Sequence, residues 1–229
     1  HLLKLYKPVL HRFLRSVDRI VTTSPDYIDS SPVLPAYRDK ASVIPIGLEP
    51  SRLPRSSVEN RRHWQEKLPP RFFLFVGALR YYKGLPFLIE AAAKSGLPVV
   101  IAGGGDLPDV HARSLPQNVH LLGKVDDEDK ASLLSLCEAF VFPSHLRSEA
   151  FGIALLEAAF AGKPLISCEI GTGTSYINLH EETGLVVKPA NSSALATAMS
   201  LLWAEPGLRR QYGEAAAKRA HAVFQAKGM

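Results

Sequence analysis

AFVFPSHLRSEAFGIALLEAAFAGKPLISC, residues Ala139 to Cys168, decides the fold. It opens on one short apolar run, Ala139–Phe142, and closes on another, Leu165–Cys168. Between them a polar loop leads into a helical pattern at Phe151–Ala161, apolar on every face except at Glu157. Short continuous apolar runs joined by a helix read as parallel strands covered on both faces, and a helix apolar all round is a buried helix.

The same rhythm extends outward in both directions. Strands are expected at Arg19–Thr23, Ser42–Ile44, Phe72–Gly77, Val99–Gly103, Val119–Leu122 and Leu185–Val187, beside the two already named. Helical patterns fall at Leu85–Lys94, Asp127–Cys137, Ser192–Trp203 and Pro206–Phe224. Alternation of this kind predicts an α/β protein with a doubly wound, Rossmann-like parallel sheet. The rhythm breaks between Pro45 and Pro70, where five prolines surround a charged stretch, Asn60–Lys67. Four parts follow: closing elements of a preceding domain at 1–50, a linker at 51–70, a main α/β domain at 71–205 and a carboxyl-terminal helix at 206–229.

Composition narrows the class. The chain has 229 residues, 46% of them apolar and 21% charged, which are ordinary globular values. They exclude a disordered tail, a collagen-like repeat and a coiled coil. No apolar run reaches the ~18–20 residues of a membrane span and no signal-peptide pattern is present, so a soluble cytoplasmic protein is expected. The first residue is His rather than Met, as in a fragment of something longer. Net charge +5 suits an anionic partner without deciding which. The two cysteines, Cys137 and Cys168, lie in apolar runs and read as buried small hydrophobes.

The candidate chemistry follows strand ends, the edge where open α/β sheets bind ligands. Glu149 stands in the loop after Phe142. The amides of Ala150, Phe151, Gly152 and Ile153 open a helix and suit a phosphate or oxyanion. Glu157 has two readings: a structural partner such as a backbone amide or a neighbouring Lys, or a receiver of ligand hydroxyls. After Gly77 come Arg80 and Lys83, two cations that can neutralise a diphosphate or simply lie solvated. Gly103-Gly104-Gly105-Asp106-Leu107-Pro108 lacks the last glycine of the dinucleotide fingerprint and disfavours a nicotinamide site. A Gly/Thr turn at Gly171–Thr174 reads as a phosphate cradle or a plain turn. Asp126–Asp129 contains a D-x-D pattern but opens a helix, where acids cap amides. The eight His show no metal-ligand spacing, and no metal site is expected. Lys4, Lys7, His11, Arg12 and Arg15 alternate with apolar residues, reading as a packed helix's solvated face or a membrane-surface helix.

The E-x7-E spacing of Glu149 and Glu157 within SEAFGIALLEA resembles the signature of GT-B glycosyltransferases, family 4 of the retaining enzymes. Further likeness lies in VGALRYYKG at Val76–Gly84, IAGGG at Ile101–Gly105, LGKV at Leu122–Val125, VFPS at Val141–Ser144 and GLVVKPA at Gly184–Ala190. A narrower similarity points to bacterial O-antigen mannosyltransferases that use GDP-mannose. The resemblance implies the carboxyl-terminal, donor-binding half of such an enzyme, the donor domain being 71–205 and residues 1–50 the closing elements of an amino-terminal acceptor domain. Glu149 would orient the donor sugar, Glu157 bind the ribose, and Lys83 steady the departing diphosphate. The amides of 150–153 would meet sugar and phosphate, with Gly77 and Gly103 nearby, and the backbone at Lys124 and Val125 would meet the base. Many relatives have Arg directly after the first-turn glycine; here that position is Ala78, and Arg80 is the candidate substitute. The implied partners are a nucleotide sugar, GDP-linked before UDP-linked, and a glycan or lipid-linked acceptor at the inner face of the membrane, with no cofactor, metal or nucleic acid. The alternative is a non-catalytic sugar-nucleotide binding module.

Overall fold

A computed structural model describes residues 2–105 and 115–226, the first four of these as backbone alone. The amino-terminal part contains helix α1 (Leu2–Ser16), strand β1 (Ile20–Thr22), helix α2 (Pro25–Asp29) and strand β2 (Ala41–Val43). β1 and β2 pair in parallel as a two-stranded sheet of their own. Helix α3 (Val58–Lys67) lies in the stretch expected to be a linker. Its sequence is almost wholly polar, so periodicity does not reveal it. It forms because the Ser57 side chain caps the amide of Asn60 and because Asn60 and Trp64 both donate to Asp129.

The main sheet holds β3 (Phe73–Val76), β4 (Val99–Ala102), β5 (Val119–Gly123), β6 (Ala139–Phe142), β7 (Leu165–Cys168) and β8 (Gly184–Val187). All its pairings are parallel, in the order β5-β4-β3-β6-β7-β8. The expected doubly wound α/β architecture is therefore present. β3, β4, β6 and β7 have every residue buried, which is why they read as unbroken apolar runs. The helices that cover the sheet are α4 (Leu85–Ser95), α5 (Asp127–Leu136), α6 (Ile153–Phe160), α7 (Gly173–Ile177), α8 (Ser192–Ala204) and α9 (Pro206–Val223).

Strand order locates the site. The chain builds outward from β3 to β4 and β5, then returns to place β6 on the other side of β3. Such a reversal opens a crevice at the carboxyl ends of the two central strands. Lys83 follows β3 and Glu149 follows β6, so the topology brings both loops to that crevice. The opposite edge is sealed by Glu138, which takes Arg71 at 2.6 Å and Arg209 at 2.7 Å. Past α9 the chain returns to the segment after β2, where Leu48 N–H donates to Phe224 and Ala226 N–H donates to Leu48.

Both cysteines are buried, as expected, and burial pushes their thiols up, Cys137 to about 11 and Cys168 to about 12.

Candidate functional site

The loop after β3 forms a single 3-10 turn at Tyr81–Lys83 that ends on Gly84. Gly84 has φ +70°, and a Cβ there would stand 2.1 Å from the Pro143 carbonyl. Only glycine fits that approach, which presses the Lys83 turn against the loop after β6. Across this contact His145 N–H donates to the Tyr82 carbonyl at 3.0 Å.

The result is an ion pair between Lys83 Nζ and Glu149 Oε2, with side chains only 12% and 11% exposed. Ser144 Oγ donates to the same Oε2 at 3.2 Å. Lys83 also lies 4.7 Å from the centre of the Phe142 ring, an arrangement favourable for a desolvated cation. The nearby His145 imidazole is pulled down by burial and so favours the neutral form, against an opposing backbone hydrogen bond.

Glu149 N–H closes a tight turn onto the Leu146 carbonyl at 3.0 Å, and the chain then runs through Ala150, Phe151 and Gly152 into α6. The helix begins at Ile153, two residues later than expected, because Gly152 caps it in the left-handed conformation at φ +98°. Phe151 is buried with its ring edge-on to Phe224 at 5.9 Å, whereas Ala150 and Ile153 are exposed. Among the described residues, the N–H groups of Ala150, Phe151, Gly152 and Ile153 have no hydrogen-bond acceptor. Four free amides beside a buried ammonium suit an anion.

Glu157 sits one turn along α6 and is not the lone buried carboxylate that an all-apolar helix implied. Its side chain is 16% exposed and Oε1 accepts from Lys130 Nζ at 2.9 Å. Of the two readings, a neighbouring Lys as partner is observed. Lys130 also reaches Asp127 at 3.1 Å. Burial pulls the ammonium down, but the hydrogen bond and charge of Glu157, reinforced by Asp127, outweigh it and hold Lys130 above its ordinary value. This pair lines a groove of about 460 Å³ together with Gly47–Glu49, Arg52–Pro54, Asp127 and Ala226.

The remaining expected residues divide. Gly77 and Gly103 do come together: a Cβ on Gly103 would stand 1.8 Å from the Gly77 carbonyl. The close approach seen there is backbone to backbone, between the chain ends that follow β3 and β4. Gly103 N–H then donates to Gly123 at 2.7 Å, tying in the loop that carries exposed Lys124 and half-buried Val125. Arg80 is exposed and is not joined to the Lys83–Glu149 pair; among the described residues it has no ion-pair partner. The Asp126 side chain caps α5 by accepting from Asp129 N–H at 2.8 Å, as the capping reading expected. In the Gly/Thr turn Thr172 and Thr174 are buried with their hydroxyls 3.4 Å apart, while Gly171 N–H donates to Glu169 Oε1 at 2.9 Å and Gly173 N–H to the Ala150 carbonyl at 3.0 Å. Asp106, Leu107 and Pro108 lie outside the described residues.

Sequence reasoning missed Lys130, Ser144 and the groove-lining residues Gly47–Glu49 and Arg52–Pro54. Lys130 follows four acids at the start of a helix, a pattern that ordinarily reads as a solvated turn. Nothing local shows that it turns toward Glu157.

A doubly wound α/β domain with paired charges and free amides at its switch point defines an anionic-ligand site. The chain belongs to the family described as glycosyl transferases group 1, whose pattern matches residues 56–219. It is 54% identical over 229 residues to D-rhamnosyltransferase WbpZ of Pseudomonas aeruginosa, covering 98% of this chain and 60% of that protein. It is 51% identical to O-antigen chain mannosyltransferase C of Escherichia coli, covering 100% of this chain and 62% of that one. The chain thus spans about three fifths of the length of these relatives. Among solved structures it resembles sucrose-phosphate synthase from Thermosynechococcus elongatus, with TM-score 0.77, 27% identity and coverage of 93% of this chain and 56% of that one.

Proposed function

We propose that this chain is the donor-binding half of a retaining glycosyltransferase that moves a hexose from a nucleoside-diphosphate sugar to a glycan or lipid-linked glycan of a bacterial O-antigen. The observation that carries the reading is the Lys83–Glu149 pair beside the free amides of 150–153 at the sheet's switch point. D-Rhamnose is 6-deoxy-D-mannose, so the sugars named for the two relatives share the manno configuration. That supports a manno-configured donor, GDP-mannose before a UDP-sugar.

In this reading the diphosphate lies against the amides of Ala150–Ile153 and draws Lys83 from Glu149. The freed carboxylate then receives sugar hydroxyls. As the bond from sugar to phosphate lengthens, charge grows on the diphosphate, and the ammonium and amides meet it. Glu157, steadied by Lys130, takes the ribose, and the Gly123–Val125 loop meets the base. Arg80, exposed at the same edge, is assigned to the outer phosphate. No carboxylate is given the role of attacking nucleophile, unlike a retaining glycosidase with its paired acids.

Association with a membrane surface belongs to the same proposal. Tyr6, Val9 and Phe13 of α1 are 57%, 62% and 59% exposed, and Lys7, Arg12 and Arg15 share the helix. Among the described residues no helix is long and apolar enough to cross a membrane. Co-sedimentation with anionic vesicles, lost in Phe13→Glu, checks this part.

The donor is tested by thermal-shift titration with GDP, UDP, ADP and their sugars. A ligand that binds only the folded state raises stability by RT ln(1 + [L]/Kd). A shift selective for GDP-mannose and reduced in Glu157→Ala is expected; no shift with any nucleotide refutes the reading. Donor turnover that stays at background in the complete enzyme leaves a binding module instead.

A further inference from the structure

The loop from Pro143 to Gly152 has no helix or strand of its own, yet it must place a carboxylate to within about half an ångström for that group to act. Its amino-terminal end is pinned by the Gly84 contact and its carboxyl-terminal end by buried Phe151. Between them Arg147 lies inside the tight turn that Glu149 N–H closes onto Leu146. The Arg147 guanidinium reaches out of the loop to the point where the end of α2 meets the turn after β7. Nη1 donates to the Gly171 carbonyl at 2.9 Å, in the turn after β7, and to Ser30 Oγ beyond the end of α2. The same guanidinium sits 4.9 Å from the centre of the Tyr27 ring on α2. Ser30 Oγ also meets the Asp26 carbonyl at 2.6 Å and the Gly171 carbonyl.

We infer that Arg147 is a positioning residue that fixes Glu149 by tying its turn to α2 and to the Gly171 turn. The consequence concerns coupling. α2 belongs to the amino-terminal part with its own two-stranded sheet, whereas Glu149 and Gly171 stand in the loops after β6 and β7 of the six-stranded sheet. A displacement of α2 pulls on Ser30 and Tyr27, and through Arg147 it moves the turn that ends on Glu149. Acceptor-side structure thereby communicates with the donor carboxylate without touching it. Arg suits this task better than Lys, because one guanidinium nitrogen serves both acceptors while the planar group lies near the Tyr27 ring.

The inference rests on the proposed donor role of Glu149, and the experiment separates the two. Calorimetry compares GDP-mannose with GDP, and UDP-glucose with UDP, for the wild type, Arg147→Ala, Arg147→Lys and Tyr27→Leu/Ser30→Ala. Arg147→Ala is expected to weaken the sugar nucleotide about tenfold, the scale of one charged hydrogen bond, with the bare nucleotide changed less than about twofold. Tyr27→Leu/Ser30→Ala moves in the same direction, and adding it to Arg147→Ala costs nothing more, since residues that act through one contact are non-additive. Arg147→Lys recovers only part of the loss. Equal weakening of both ligands, or additivity, overturns the inference. If the wild type binds none of the four ligands, the functional reading fails and a ligand-free arm decides the positioning. The melting-temperature penalty of Lys83→Met is then measured with and without Arg147. A penalty at least halved in Arg147→Ala supports it, and an undiminished one refutes it.

Discussion

Replacing Lys83 by Met removes an ammonium while keeping the length and apolar body of the side chain. Glu149 is left 11% exposed, with Ser144 at 3.2 Å as its remaining partner among the described residues. Removing one member of a buried ion pair typically costs about 3–5 kcal/mol, because the other charge stays desolvated. The pair here borders an open crevice into which water can follow, so the lower end applies, about 3 kcal/mol. In a chain of this size each kcal/mol moves the midpoint by about 2–4 °C, giving an expected fall of about 6–12 °C. Thermal unfolding followed by far-ultraviolet circular dichroism measures it. The double variant Lys83→Met/Glu149→Leu is expected to regain most of the loss, since apolar groups of similar volume often replace a buried pair at no cost. A midpoint for Lys83→Met within about 2 °C of wild type, or a double variant no better than the single, refutes the buried pair and the partner exchange built on it.

Glu149→Gln removes the competitor for Lys83, so GDP alone should bind more tightly while GDP-mannose loses its sugar contact; calorimetry showing weaker GDP contradicts the exchange. Glu157→Ala should weaken the donor by about 1–3 kcal/mol through lost charged hydrogen bonds, and unchanged affinity in the same titration returns that residue to a structural role. Asp129 gives the pH dependence: burial raises its carboxyl, but hydrogen bonds from Trp64, Asn60 and the Asp126 backbone outweigh that and hold it below 3.8. A depressed carboxyl stabilises the fold above the unfolded value and loses that contribution as pH falls through the folded one. Stability measured from pH 5 to 2 by Trp64 emission in a Trp203→Phe background should therefore fall in wild type and stay flatter in Asp129→Asn.

The fold was largely legible because its signal is local. β3 reads FLFV and β6 reads AFVF, each buried on both faces, so apolar runs announce them with no knowledge of their neighbours. The α3 helix escaped for the opposite reason: VENRRHWQEK has no apolar stripe, and its stability comes from Asp129, 65 residues beyond Trp64. The carboxylates of the site were visible as E-x7-E, but their partners were not. Lys83 and Glu149 lie 66 positions apart and Lys130 and Glu157 lie 27 apart, and no periodicity records such pairings. The glycines were visible but not their pairing, since the room a side chain would take at Gly103 is filled by the Gly77 backbone, 26 positions away.

The site has a common logic in its two halves. Each glutamate of the pair flanking the start of α6 holds one lysine, Glu149 with Lys83 and Glu157 with Lys130. A desolvated cation without a partner would be costly, and a preorganised diphosphate site needs such a cation before the ligand arrives. Pairing it with a carboxylate meets that requirement, at the cost of affinity, because the diphosphate must first displace the carboxylate. On the proposed reading the displaced group is not lost, since Glu149 becomes an acceptor for sugar hydroxyls at the moment Lys83 turns to phosphate. Bare nucleotide and sugar nucleotide then differ in kind. The first breaks an ion pair and leaves a carboxylate unsatisfied, whereas the second supplies partners for both. That asymmetry favours the intact donor over its own product and promotes release of the nucleotide once the sugar has gone.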